Sequence, residues 1–403
     1  MSGLAVIEIL LLVAVLVLAV PAFVFFVEVM AALWPSSPGA PDAMGRGGAS
    51  RPRIAVLIPA HDEAAGIGRT IANVRAQLMP ADMLLVVADN CSDDTAAVAA
   101  AAGAIVVERH DPDRRGKGYA LDFGVRALGE DPPDCLLIVD ADCLLSAGSI
   151  ERLARVSVDA DRPAQALYLC HVPEGITRVG ARIAEFAFIV KNHVRPRGLA
   201  ALGLPCTLTG TGMAFPWSLI ANVPLASGDL AEDMMLGSEL AVRGHAPVFV
   251  EAARVDSEFP GSEEGGQGQR RRWEHGHLQT IMAHVPRMLR AAVTRRNWQL
   301  LASALDLAVP PLALLVSLQG LLTIVSAGFA FAGGGLAPLT VALLAFAALA
   351  VAGLSAWFAH GRHVLSGAML WLAPVYALRK LPLYVGYLFA RQSTWLRTRR
   401  DGE

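Results

Sequence analysis

Acidic residues gather at four places in the chain: His61-Asp62-Glu63, the run Asp89-Asn90-Cys91-Ser92-Asp93-Asp94, Asp140-Ala141-Asp142, and Glu232-Asp233. Carboxylates crowded at one site repel one another, and a cation or hydrogen-bond donors must offset that cost. Asp140 and Asp142 suit a hard divalent ion, Mg2+ or Mn2+, which takes carboxylate oxygen and keeps positions for phosphate. A basic run, Gln269-Arg270-Arg271-Arg272-Trp273, comes later. Its arginines either hold an anion or form the positive flank of a membrane segment. In LTGTGMAFP, Gly210, Thr211 and Gly212 would let a substrate approach the backbone closely, although an ordinary turn explains the stretch as well. RRGKGYA is not a P-loop, because Asp111 stands where the leading glycine belongs and no Ser or Thr follows Lys117. Lys117 can still face a phosphate. The helix dipole favours Glu232-Asp233 at a helix start, which explains their position without assigning them a reaction. His275 and His277 have no third ligand at a good spacing, so a structural or acceptor-side role suits them better than a metal.

The elements that must position these groups alternate. IAVLIPAHDE, LLVVADNCSDD, AIVVERH and CLLIVDADC read as strands that end in polar turns. Between them, TIANVRAQL, the alanine-rich stretch from Thr95 to Ala102, and GYALDFGVRAL read as helices. Alternating strands and helices imply a parallel α/β sheet with ligands outside the carboxyl ends of its strands. Three of the acidic clusters leave such ends and should converge on one crevice. EFAFIVKNH, from Glu185, reads as a packed amphipathic helix.

Of the 403 residues, 54% are hydrophobic and only 17% charged, against about 25% in a typical soluble protein. The net charge of −2 gives no sign of a nucleic-acid partner. The five cysteines form no C-x-x-C pair and suit a reducing compartment. Ile9 to Val27 is uncharged, and Leu307 to Ala359 holds no Asp, Glu, Lys, Arg or His. The first run is one membrane span; the second is two, over 307–331 and 337–358, turned at Gly333-Gly334-Gly335. The expected organisation is a transmembrane helix over 1–33, a linker over 34–52 and a catalytic domain over 53–275. Interfacial helices follow over 276–300, two transmembrane helices over 301–360, and an interfacial or re-entrant helix with a basic cytoplasmic tail over 361–403. Arg46, Arg51 and Arg53 follow the first span, and Arg295 and Arg296 precede the second, which places the domain on the cytoplasmic side. The chain is then an integral protein of the cell inner membrane.

In order, VLIPAHDE, VVADNCSDDT, VDADC, TGTGMAF, LAEDMMLG and QRRRW resemble the motifs of the membrane-integrated, inverting family 2 glycosyltransferases. That group includes cellulose, chitin and hyaluronan synthases and ceramide glucosyltransferases. The resemblance covers about residues 53–275 and the flanking membrane segments. It implies a GT-A, Rossmann-like α/β domain in the cytoplasm, with transmembrane helices at both ends and interfacial helices. It further implies that Asp89 binds the base or ribose of a nucleotide-sugar, most simply a UDP-sugar, with Ala60 and Glu63 lining the same pocket. Asp140 would lie near the ribose and diphosphate, and Asp142 would hold the Mn2+ or Mg2+. Asp233 would be the catalytic base, supported by Glu232. Gln269, Arg270, Arg272 and Trp273 would bind the departing diphosphate and border the acceptor site, leaving Arg271 as membrane flank. Two positions depart from the family pattern: Ala231 stands where a Thr is common, and Asp62 where an Asn is usual.

The chemistry fits these roles. Sugar transfer develops negative charge on the leaving diphosphate, and the acceptor hydroxyl must lose a proton. The acceptor is a polysaccharide or a lipid. Three crossings make a thin wall for a polymer channel, so a polymer would call for a homo-oligomer or an export partner. Two other readings compete. A transporter with a regulatory nucleotide-binding domain is disfavoured by spans almost without polar groups. A nucleotidyltransferase explains neither Glu232-Asp233 nor QRRRW.

Overall fold

The computed structural model describes residues 3–34 and 50–389. Most of the expected linker and the basic tail lie outside the described residues. The strands are β1 (Ile54–Ala60), β2 (Met83–Asp89), β3 (Ile105–Arg109), β4 (Cys135–Ile138), β5 (Leu144–Leu145), β6 (Ala164–His171), β7 (Met213–Pro216) and β8 (Val248–Glu258). They form one sheet in the order β3-β2-β1-β4-β7-β6-β8-β5. The helices through the last span are α1 (Gly3–Ala32), α2 (Ile67–Arg75), α3 (Thr95–Ala101), α4 (Lys117–Leu128), α5 (Ser149–Ala160), α6 (Val179–Ile189), α7 (Arg195–Ala201), α8 (Trp217–Ile220), α9 (Glu232–Val242), α10 (Glu263–Arg295), α11 (Trp298–Leu307), α12 (Leu312–Phe331) and α13 (Ala337–Ala356).

β1 and β2 are near-continuous apolar runs because both faces of this sheet are covered. Val56 and Ile58 point toward Ile67, Ile71 and Val74 of α2. Ala55 and Leu57 point the other way, toward Leu121 and Val125 of α4. The expected parallel sheet holds for β1 to β4, which pair in parallel. The other half is mixed: β7 runs antiparallel to β4 and β6, whereas β6 and β8 are parallel. One edge therefore collects the ends of β1, β2, β4, β6 and β8 together with the loop that enters β7. α2 also differs from expectation, starting at Ile67 and ending at Arg75 before Leu78.

Among the described residues, three helices are long and apolar enough to cross a membrane: Gly3–Ala32, Leu312–Phe331 and Ala337–Gly361. The first extends beyond the uncharged run and takes in Glu28, which the fold buries. Arg195 Nε donates to Glu28 Oε2 at 2.6 Å, and Arg195 Nη2 donates to Asp306 Oδ1 at 2.6 Å. Gly198 lets α7 and α1 touch, since a Cβ there would stand 1.8 Å from the Glu28 carbonyl oxygen. Gln319 Nε2 donates to the Ala342 carbonyl at 3.0 Å and joins the other two spans.

The basic motif and the stretch after it form a single helix, α10, which runs across the 275/276 boundary and through Pro286. Ser262 caps it, accepting from Gly265 N at 3.2 Å, with Glu263 and Glu264 in the favoured first turn. Beyond the last span come three short helices, Gly367–Leu370, Ala373–Arg379 and Leu381–Phe389. Each is far shorter than the roughly 20 residues a crossing needs. Lys380 is ion-paired to Glu274 of α10, fastening this region to the catalytic domain.

Candidate active site

Two cavities meet at the collecting edge of the sheet. The larger, about 630 Å³, is lined by Ala60, Glu63, Asp89, Lys117, Asp140, Asp142, Gln269, Arg272 and Trp273. The smaller, about 250 Å³, is lined by Lys117, Asp140, Gly210, Glu232, Asp233, Arg270, Arg272 and Trp273, together with Phe25 and Leu312 of the membrane helices. Lys117, Asp140, Arg272 and Trp273 border both. Thr211 and Gly212 line neither. Thr211 is fully buried, and its Oγ1 accepts from Asp140 N at 3.0 Å, holding the acidic turn from behind. A Cβ on Gly212 would stand 2.6 Å from Val255 Cγ2, inside the core. Arg270 lies on the smaller cavity alone, not beside Asp89 and Asp142.

At the end of β2, Asp89 Oδ1 accepts from Arg109 Nη1 at 2.6 Å. Burial raises the pKa of Asp89 even though Arg109 pulls against it. Arg109 was not singled out from the sequence, yet Asp89 and Arg109 are register partners at the ends of neighbouring parallel strands. Asp62 ties the first two strand ends together. Its backbone is left-handed (φ 52°), a conformation Asp tolerates, and its Oδ1 accepts from Ser92 N at 2.6 Å.

Lys117 connects the two cavities. Its ammonium is ion-paired to Asp140, donates to the Gly210 carbonyl at 2.7 Å, and lies 3.7 Å from Glu232 Oε1. Burial would favour its neutral form, but Asp140 and then Glu232 outweigh that and hold its pKa above the ordinary lysine value. Gly210, with φ 90°, sits at the crossing: a Cβ there would lie 3.5 Å from Asp233 Oδ2 and 3.7 Å from Lys117 Nζ. Burial raises Glu232 to about 7 against the pull of Lys117. Burial also raises Asp233, opposed first by Lys191. A carboxylate raised in this way is a better proton acceptor. Ala231 leaves the start of α9 without a side-chain cap and packs against Gly276 of α10.

The donor atoms of Asp140, Asp142 and Cys143 lie within 4.8 Å of one another. Burial pushes the Cys143 thiol well above its ordinary pKa, so the sulfur stays a neutral S–H, 3.3 Å from Asp142 Oδ1. The donors are therefore two hard carboxylates, a set that fits Mg2+ or Mn2+ with room for phosphate oxygens. Across the larger cavity, burial lowers the pKa of Arg272, while Glu232, Asp140 and Asp142 resist the shift. Trp273 packs against Phe188 with ring centroids 5.6 Å apart.

His277 Nε2 donates to the Leu307 carbonyl at 3.2 Å, and burial lowers its pKa to about 3. It is a neutral structural histidine, as is the fully buried His275 against the Leu383 carbonyl. EFAFIVKNH is helical but more than packing. At Val190–Val194 the helix widens into a π turn and sends Lys191 and Asn192 to the smaller cavity. Such turns recur at functional sites.

A family model described as "Glycosyltransferase like family 2" matches residues 52–276, more than half of the chain. The low-salt glycan biosynthesis hexosyltransferase Agl6 of Haloferax volcanii is 34% identical over 114 residues, which is 27% of this chain and 26% of that protein. The match thus spans about a quarter of that relative's length. Among solved structures, the mannosyltransferase PcManGT from Pyrobaculum calidifontis, in complex with GDP-Man and Mn2+, has a TM-score of 0.54 at 16% identity. That similarity covers 95% of this chain and 100% of the other and concerns the fold.

Proposed function

The chain belongs to the family 2 glycosyltransferases, and on that premise we propose that it moves a sugar, with inversion, from a nucleotide-sugar to an acceptor hydroxyl at the cytoplasmic face of the cell inner membrane. The observation that carries this reading is the pair of cavities with a shared wall. One holds the acids Asp89, Asp140 and Asp142, and the other holds Asp233, with Lys117 and Arg272 between them. The donor occupies the larger cavity, with Asp89 at the base or ribose and Ala60 and Glu63 beside it. Asp142, with Asp140, would hold Mg2+ or Mn2+, whose charge would offset that of the diphosphate. The acceptor oxygen attacks the anomeric carbon as Asp233 takes the hydroxyl proton. The bond from that carbon to the diphosphate oxygen breaks, and its electron pair leaves with the nucleoside diphosphate, received by Lys117 and Arg272. A single displacement inverts the anomeric centre.

The family resemblance favours a UDP-sugar, whereas the mannosyltransferase of similar fold was solved with GDP-Man, so both classes belong in the test. The acceptor is a polysaccharide or a lipid. Arg51 and Arg53 behind the first span, and the arginines of α10 ahead of the second, support a cytoplasmic domain. The purified chain should release nucleoside diphosphate from one member of a UDP- and GDP-sugar panel when Mn2+ or Mg2+ is present. Release that persists in both Asp142→Asn and Asp233→Asn would remove the assigned site.

A further inference from the structure

The smaller cavity holds two further cations, one of which, Lys191, also favours the ionised form of Asp233. Lys191 and Arg270 both line it, and neither makes a hydrogen bond or ion pair among the described residues. The other cations on this wall are engaged: Lys117 with Asp140, Arg195 with Glu28 and Asp306, and Lys380 with Glu274. Neither Lys191 nor Arg270 borders the larger cavity, which sets them apart from Lys117 and Arg272. Asp233 offsets part of the cost of burying Lys191, and an arriving anion would offset the rest. Polar atoms here also lack partners. Asn192 is 3% exposed and its Oδ1 accepts nothing, and Thr209 Oγ1 is likewise unmet.

Other parts of the lining have another character. They are built by Phe25 of the first span and Val309-Pro310-Pro311-Leu312 at the foot of the second. A polysaccharide wants polar partners along its path, and these apolar residues supply none. An acyl or prenyl chain suits this apolar lining, to which two of the helices long enough to cross a membrane contribute.

We propose that the acceptor subsite takes a membrane lipid with a phosphate-bearing headgroup. Lys191 and Arg270 receive the phosphate, Asn192 Oδ1 and Thr209 Oγ1 meet headgroup hydroxyls, and the apolar chain leaves past Phe25 and Leu312. This rests on the glycosyl-transfer reading, in which the reacting hydroxyl of the same headgroup stands at Asp233.

The test uses the full chain in nanodiscs with two photoreactive probes, a diazirine-bearing phosphatidic acid and the matching neutral diacylglycerol. Peptides containing Phe25 or Val309–Leu312 are then sought by mass spectrometry. The phosphate probe should label them at least about tenfold more than the neutral one. Lys191→Met and Arg270→Met should each lower that labelling severalfold, and Lys191→Arg should restore it. Equal labelling by the two probes, or labelling unchanged in both Met variants, would overturn the proposal. Displacement by inorganic phosphate as complete as by unlabelled phosphatidic acid would assign a soluble phosphate instead. Protection by a phosphate-free oligosaccharide would assign a polysaccharide. Calorimetric titration of the wild-type chain with UDP and GDP plus Mn2+ tests the transfer reading separately. Lipid labelling without nucleotide binding would sink that reading alone, and nucleotide binding without selective labelling would sink only the lipid subsite.

Discussion

Asp233 and Asp142 are separable at the level of single side chains. In the proposed mechanism Asp233→Asn removes the proton acceptor, while the lining of the larger cavity is unchanged. Transfer should fall by about 10² to 10⁴-fold with donor affinity retained, as read by turnover alongside nucleotide titration. Asp142→Asn, or a chelator on the wild type, should instead weaken donor binding itself. Glu232 sets a pH limb. Its pKa of about 7, raised mainly by burial against Lys117, lies above the 4.5 of an unfolded chain. Between those values the folded protein binds more protons, so this group favours folding at low pH, and that contribution is lost as pH rises through 7. Activity runs the opposite way, because the contact with Lys117 needs an ionised Glu232. Nucleoside diphosphate release should drop below about pH 7, and Glu232→Gln should abolish that limb. Asp142 was legible from its position after a strand, and Glu232-Asp233 from the family motif they resemble. Lys191 was not, because a lysine in an apolar helix looks the same whether it faces lipid, solvent or a cavity.

Among the elements, the joint between α1 and α7 has the most to lose. Arg195→Met would leave Glu28 and Asp306 buried without their cation, a loss of about 3–5 kcal/mol that thermal unfolding in detergent would register. His171 ties β6 to β8 and α6, with Nε2 2.7 Å from Asp256 Oδ1 and Nδ1 3.5 Å from Glu185 Oε1. Asp256, then Glu185, raises its pKa to about 9. The contribution is full below the unfolded value of about 6.5 and lost as pH rises through 9. The Tm difference between wild type and His171→Asn should accordingly shrink to nothing above that pH. The alternating βα units could be read locally, but the antiparallel half of the sheet could not. Its strands follow long helical insertions, and their direction depends on which neighbour they meet.

Across the whole molecule, the long apolar helices also help to build the cavities. Phe25 and Leu312, on two helices long enough to cross a membrane, form part of the smaller cavity. If the domain faces the cytoplasm, trypsin should cut at the exposed Arg114 and Arg115 in inside-out vesicles and spare them in right-side-out ones. Cleavage in the latter would reverse the assigned orientation.

The sequence by itself determined the strand–helix alternation, the acids at the strand ends, the three apolar spans and the family. Each of these is carried by neighbouring residues: a period, an uncharged run, or a short motif. Only the tertiary structure decided that Arg109 belongs to Asp89, that Lys117 joins Asp140 to Glu232, and that Arg270 faces the smaller cavity while Thr211 and Gly212 stand behind the wall. These are meetings of side chains tens of residues apart, and they follow from the packing of helices against the sheet and the membrane segments, which no local pattern encodes.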